Sequence, residues 1–205
     1  MNHQLTFYTN PMSRGRIVRW MLEEVGASYH TEILEYGTSM KAAEYLTINP
    51  MGKVPAIKHG TTVVTECAAI CAYLADAFPE RALAPPLAER GDYYRGLFFA
   101  AGPVEAAITN RSLGFEVPEE QQRMAGYGSY GSVMDTLEKV LDGGDFITGK
   151  HFSAADVYVG SHVGWGLSFG TMEARPTFAK YWERVSDREA YRRATALDDG
   201  FMPKE

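Results

Sequence analysis

Three short stretches hold the residue types from which a binding site can be made. Glu66-Cys67 stands where a β-branched run, Thr61 to Thr65, gives way to an apolar segment. If Glu66 ends a strand and Cys67 opens a helix, the pair offers a carboxylate for an ammonium group and unpaired N–H donors for a carboxylate. The plainer role for Glu66 is an acid complementing the helix dipole. Asn10-Pro11-Met12-Ser13-Arg14 puts one hydroxyl at the start of the first helix, and Tyr8 puts another at the end of the first strand. Ser13 can be a simple N-cap, although the capping box wants Glu or Gln three residues on and Arg16 stands there. Tyr8 can be a half-buried strand aromatic. Lys53-Val54-Pro55 reads, in isolation, as a solvated lysine before a proline that opens an edge strand. No cysteine occupies the turn after the first strand, which disfavours Cys-x-x-Cys redox chemistry. Cys67 and Cys71 lie on one helix face, four residues apart, and Cys71 reads as a small buried hydrophobe. The histidines, His3, His30, His59, His151 and His162, have no spacing that gathers metal ligands, so no metal is expected.

The elements that must position these residues divide the chain in two. Leu5 to Tyr8 is a short β-prone run stopped by Asn10-Pro11. Ile17, Met21, Leu22 and Val25 recur at helical spacing, and Gly26 suits a helix C-terminus. Tyr29 to Leu34 reads as a second strand and Lys41 to Leu46 as a short helix. Val54 to His59 and Thr61 to Thr65 form a hairpin pattern, and Cys67 to Phe78 an apolar helix. The order βαβ then ββα predicts a small mixed sheet with helices on its faces. Pro79 to Pro86, with three prolines, reads as linker. Beyond it, Leu87 to Ile108, Glu119 to Leu141, Ala154 to Gly164, Pro176 to Val185 and Arg188 to Ala196 read as helices, with a kink or loop at Gly126 to Gly131. The expected organisation is an α/β domain over residues 1–78, a linker over 79–88 and an all-α domain over 89–205.

Composition narrows the functional classes. The chain has 205 residues, 45% hydrophobic and 22% charged, which suits a globular protein and not a disordered one. A net charge of -6 argues against nucleic-acid binding, which needs a basic face. The longest run without Asp, Glu, Lys or Arg, Val157 to Met172, is broken by Gly, Ser and His and is no membrane span. Met1-Asn2-His3-Gln4 lacks the start of a signal peptide, and two cysteines are no disulfide framework. A cytoplasmic location is expected.

The segment Ile48-Asn49-Pro50-Met51-Gly52-Lys53-Val54-Pro55-Ala56-Ile57, followed by Thr65-Glu66-Cys67-Ala68-Ala69-Ile70, resembles the glutathione-binding half of the cytosolic glutathione transferases. Phe152-Ser153-Ala154-Ala155-Asp156-Val157 resembles the capping-box segment that this family carries late in its chain. The resemblance spans essentially the whole length and points to a bacterial-type, serine-type member. It implies a thioredoxin-like βαβ-ββα domain followed by an all-helical one. It also implies a cis Val54-Pro55 bond whose preceding residue pairs with the cysteinyl backbone of glutathione like an added strand. Glu66 and the Cys67 N–H would receive the γ-glutamyl head, and Lys53 would meet the glycyl carboxylate. Cys67 departs from the family's commoner serine. A thiol donates weakly, so the backbone N–H would carry more of the recognition.

The implied reaction is attack of the glutathione sulfur on a small hydrophobic electrophile, with glutathione as co-substrate and no other cofactor. A free thiol titrates near about 8.5, and the thiolate is the nucleophile. Lowering that value by two units needs about 2.7 kcal/mol of thiolate stabilisation, within reach of a hydroxyl and a helix N-terminus. Ser13 occupies the position of the activating serine, and Tyr8 falls near that of the tyrosine in tyrosine-type members. Asn10 or backbone N–H groups are the remaining candidates. Tyr94, Phe98, Phe99, Arg111, Trp165 and Phe169 are candidates for the electrophile wall, although aromatic stripes at helical spacing are more often core. Glu105 would reach a γ-glutamyl ammonium across a homodimer interface, as acidic residues there do in some members. Ser153 and Asp156 are expected to serve folding, not catalysis. The main expectation is thus a transferase of the detoxifying kind. A non-catalytic binding module on the same fold, or a glutathione-dependent peroxide or disulfide reductase on the same site, are the alternatives.

Overall fold

The computed structural model describes residues 4–202, so His3 lies outside the described residues. Contacts divide the chain into two units: residues up to Arg81 together with those from Arg188 onward, and Ala82–Asp187.

In the first unit β1 (Leu5–Thr9), α1 (Gly15–Val25) and β2 (Tyr29–Ile33) make a right-ordered βαβ pattern, with β1 and β2 parallel. A short helix α2 (Ala43–Leu46) follows, then β3 (Ala56–His59), β4 (Thr62–Thr65) and α3 (Cys67–Ala77). The sheet order is β2-β1-β3-β4, and β3 runs antiparallel to both its neighbours. This is the thioredoxin-like arrangement expected for the first part of the chain. Along β1 the side chains of Leu5, Phe7 and Thr9 are buried and those of Thr6 and Tyr8 half-buried, the period of two of a strand. The apolar stripe of α1 and the apolar α3 supply Ile17, Met21, Leu22, Val25, Ile70 and Leu74 to a common core with Phe7 and Ile57. Burial of each such side chain contributes about 1.5–3 kcal/mol. Gly26 ends α1 in the left-handed conformation, φ 63°, and its N–H returns to the Leu22 carbonyl.

The last helix, α9 (Glu189–Asp199), belongs to this first unit and not to the helical one, where the sequence reading of 89–205 had placed it. It lies along α1. The Trp20 and Tyr191 rings meet edge-on at 4.9 Å, and Arg188 makes a two-pronged bond to the nearly buried Glu24, at 2.6 and 2.7 Å. At the other end Arg19 and Asp198 form a buried ion pair, Nε to Oδ1 2.7 Å. The Arg19 guanidinium also reaches the Tyr29 and Thr31 hydroxyls and lies near the Phe7, Tyr29 and Phe201 rings. An arginine on the buried face of α1 is invisible to a hydrophobic-periodicity reading, and its partner lies 179 residues away. That is why the sequence put the last helix in the wrong unit.

In the second unit, α4 (Gly91–Phe99) and α5 (Glu105–Ser112) are joined through a wider helical turn, Ala100–Val104. Pro103 sits inside it and has no N–H to give the ladder. α6 (Tyr130–Asp142), α7 (Ala154–Ser168) and α8 (Pro176–Ser186) complete the unit. Helix had been expected from Glu119, but Glu119–Gln121 makes only a short 3-10 turn and α6 begins at Tyr130. Gly128 takes φ 71° and Ser129 caps α6, accepting from the Ser132 N–H. Gly126 and Gly128 therefore serve a loop, while Gly131 lies in the first turn of α6. α7 is buried on nearly all sides.

The start of α7 is held by one carboxylate. Asp156 Oδ2 accepts from the Ser153 N–H and hydroxyl, and Oδ1 accepts from the Ile147 N–H and the Tyr181 hydroxyl, at 2.8–3.0 Å. Burial outweighs these four donors and pushes the carboxyl up to about 6. Asp156→Ala, which strands those donors, should lower the unfolding free energy by about 3 kcal/mol in urea titrations. The folded chain holds the Asp156 proton to higher pH than the unfolded chain does. Its contribution to stability therefore falls as pH rises from about 4 to about 6, a slope the variant should lack.

Candidate functional site

Strand register assembles the site. Ala56, the first residue of β3, pairs with Tyr8 on one side and with Thr65 on the other, and Thr9 pairs with Ile33. One row across the sheet thus links the end of β1, the start of β3 and the end of β4. The segments that continue from that row, Asn10–Arg14, Val54-Pro55 and Glu66-Cys67, emerge at a single sheet edge.

The first of these is a tight turn into α1. Asn10, buried, donates from its amide to the Leu34 carbonyl at 2.8 Å and accepts from the Met12 N–H at 2.9 Å. Asn10 therefore anchors the turn. Ser13 is half-buried; its Oγ donates to the Asn10 carbonyl at 2.6 Å and accepts from the Gly15 N–H at 2.9 Å. The serine is thus a local cap as well as a hydroxyl at a helix N-terminus, and its proton can turn from the Asn10 carbonyl towards an incoming anion. Tyr8 is also half-buried, with its ring 5.5 Å from that of Tyr45; burial, and then the charge of Glu32, raise its hydroxyl above the ordinary value.

The second segment carries the cis Val54-Pro55 bond. Asn49 and Tyr45 hold it from below, donating to the Lys53 carbonyl at 2.8 and 2.6 Å. Among the described residues no backbone hydrogen bond takes up the N–H or carbonyl of Val54, which leaves both able to receive an added strand. The Lys53 side chain is exposed. In the third segment Glu66 is exposed and takes φ 65°, a left-handed conformation that costs a non-glycine residue about 1 kcal/mol or more. That turn ends β4 and lets Cys67 begin α3 at once. Cys67 is buried, and its Sγ donates to the Arg14 carbonyl at 3.6 Å. The N-termini of α1 and α3 are therefore drawn together, with the Ser13 hydroxyl at one and the Glu66 carboxylate at the other. The edge offers the N-terminus of α3, a hydroxyl, an acid and an open backbone pair. It suits an extended peptide with an anionic group and an ammonium.

Comparison with known proteins agrees with this geometry. Residues 12–77 match the family model for the glutathione S-transferase N-terminal domain. Glutathione S-transferase A of Pleuronectes platessa is 28% identical over 172 residues, covering 78% of this chain and 76% of that protein. A glutathione transferase of Methylococcus capsulatus superimposes with a TM-score of 0.79 at 28% identity, over 95% of this chain and 98% of that one. A glutathione transferase of Phanerochaete chrysosporium, solved in complex with oxidized glutathione, gives 0.78 at 25% identity over 98% of both chains.

The chain resembles glutathione S-transferases along most of its length.

The residues proposed from the sequence for a second, apolar subsite lie on or just beyond several helices of the second unit. Tyr94 and Phe98 are one turn apart on an exposed face of α4, and the Tyr94 hydroxyl accepts from Arg90. Phe99 is half-buried. Arg111 lies 4.0 Å over the Tyr130 ring, a cation–π contact that joins α5 to α6. Trp165 is half-buried on α7, and Phe169 is exposed just beyond its end. A cavity of about 660 Å³ within the helical unit is lined by other residues, among them Lys150, Lys180 and Tyr181. Glu105, half-buried at the start of α5, accepts from the Tyr158 hydroxyl of its own chain at 3.5 Å. Among the described residues no group of three His, Cys, Asp or Glu side chains is arranged to hold a metal ion, and no helix is long and apolar enough to cross a membrane.

Two supporting residues, one in each turn, escaped the sequence reading. Asn49 had drawn attention only as part of a motif, but an Asn-Pro-x-Gly segment before a strand signals a side chain that bonds its own turn. Gly15 is the other. A Cβ there would collide with Thr9 Oγ1 and press on Ser13 Oγ. Gly15→Ala should therefore destabilise the protein by about 1–3 kcal/mol and shift the Ser13 turn. Adding Thr9→Ala should recover part of that loss in thermal or urea unfolding.

Proposed function

We propose that this protein is a glutathione transferase: it binds reduced glutathione at the sheet edge, stabilises the thiolate and transfers it to small hydrophobic electrophiles. The observation that carries the reading is the meeting of the α1 and α3 N-termini beside Val54, joined by the Cys67–Arg14 hydrogen bond. Glu66 meets the γ-glutamyl ammonium, and the first N–H groups of α3 meet its carboxylate. Val54 pairs with the cysteinyl backbone on the N-terminal side of Pro55, and Lys53 meets the glycyl carboxylate. The sulfur then lies at the start of α1, where the Ser13 hydroxyl donates to it and the helix dipole favours its negative charge. The thiol proton passes to solvent water. The thiolate attacks an electrophilic carbon, the new C–S bond forms, and the leaving group departs with its electron pair. Tyr94, Phe98, Arg111, Trp165 and Phe169 wall the electrophile. The working form is a cytoplasmic homodimer in which Glu105 approaches glutathione bound by the second subunit, and the role is detoxification.

Calorimetric titration with reduced glutathione near neutral pH should give micromolar-to-millimolar binding, weakened about tenfold or more by Glu66→Ala as one charge-assisted contact is lost. No heat at several temperatures would reverse the reading towards a binding module on this fold. Ser13→Ala should raise the pKa of the bound thiol and lower kcat about a hundredfold, the effect of losing one donor to a developing anion. Tyr8→Phe should change little; the opposite pattern would move the role to Tyr8.

A further inference from the structure

The C-terminal helix reaches the Ser13 turn through an arginine of α1. Arg16, in the first turn of α1, donates from Nε to the Pro11 carbonyl at 2.7 Å and from Nη2 to Asp199 Oδ1, also at 2.7 Å. Pro11 lies between Asn10, whose carbonyl takes the Ser13 proton, and Met12, whose N–H is held by the Asn10 side chain. The turn is thus pinned on one side by Asn10 to the end of β2 and on the other by Arg16 to the end of α9. With Pro11 providing no N–H, its carbonyl is the one backbone hydrogen-bonding group that residue offers.

The placement of the acid is costly to its own helix. Asp198 and Asp199 occupy the last turn of α9, where the dipole favours cations, and that turn holds no basic residue. Asp198 is accounted for by the buried pair with Arg19. Asp199 is exposed over 59% of its side chain, and Arg16 over 26%, so the pair contributes little to stability by itself. Its remaining use is geometric: it holds a guanidinium that has two directions to satisfy, and so fixes the Pro11 carbonyl.

We propose that Asp199, acting through Arg16, is a positioning residue for the thiolate-holding turn, so that the docked C-terminal helix sets the aim of the Ser13 hydroxyl. The inference rests on the reading of Ser13 given above. A hydroxyl displaced from the sulfur loses its hydrogen bond steeply with distance and angle. Loss of the relay therefore affects the ionisation of bound glutathione more than its binding, since Glu66, Lys53 and Val54 lie on other segments.

Asp199→Asn is the decisive variant. Removing a charge that opposes the α9 dipole should leave thermal stability equal or slightly higher, whereas the relay should weaken. In the free protein, amide exchange at Met12 and Gly15 should accelerate. With glutathione bound, thiolate absorbance should titrate at a pKa raised by about half a unit to one unit, and kcat should fall about three- to tenfold with little change in glutathione affinity. Asp199→Glu should restore most of both, and Glu189→Gln, which removes an exposed acid at the other end of α9, should change neither. Arg16→Gln combined with Asp199→Asn should be no worse than Arg16→Gln alone. Unchanged amide exchange and thiol titration in a folded Asp199→Asn variant would overturn the relay. Faster exchange in a protein whose wild type binds no glutathione would instead overturn the functional reading, and with it the role assigned to Asp199.

Discussion

The pairing of Ala56 with both Tyr8 and Thr65 is the constraint on which the rest depends. Side chains in a strand alternate with period two, so a slip of one residue would turn Phe7 and Ile57 out of the core and move Asn10, Val54 and Glu66 away from one another. Register is specified here by apolar burial on the inner face. The candidate site is a consequence of the same alignment: Asn10–Arg14, Val54-Pro55 and Glu66-Cys67 all lie just past that row. Fold stability and site geometry are therefore set by one choice.

Around that row the molecule uses local polar bonds to hold backbone in place. Asn10, Asn49 and Tyr45 all spend their side chains on main-chain carbonyls of neighbouring turns. Buried polar groups with full partners are rigid, because leaving any one of them unpaired costs about 1–3 kcal/mol. The turns carrying Ser13 and Val54 are thus stiff, while the long side chains of Glu66 and Lys53 are exposed. Glu66 adds a strained backbone, and the strain is what allows strand to become helix within one residue.

The C-terminal helix adds a second layer of support. Its contacts with α1 run from Arg188 at one end to Asp199 at the other, through a buried ion pair and an edge-on ring contact. Breaking a buried pair by removing one partner costs about 3–5 kcal/mol, because it strands a charge. A helix far away in the chain is in this way made part of the α/β unit, and the first helix is braced on its outer side.

Much of this was legible in the residues alone. The strand and helix order of the first unit follows from alternation, helical spacing and the breaks at Asn10-Pro11, Gly26 and Gly60, all of which are local properties of the chain. The loop at Gly126 and Gly128 was legible for the same reason, although Gly131, which belongs to the same run, lies in the first turn of α6. So were the candidates Ser13, Val54, Pro55 and Glu66, because each lies at a boundary between elements where free backbone groups are found. Other features are absent from any local pattern. A buried arginine reads as surface until Asp198 is brought to it, and Asp199 reads as a solvated acid until Arg16 turns it towards Pro11. The membership of α9 in the first unit and the joining of two helix N-termini by Cys67 were decided by tertiary structure. The physical reason is that burial and hydrogen bonding depend on neighbours distant in sequence, whereas turn chemistry and periodicity depend on neighbours within a few residues.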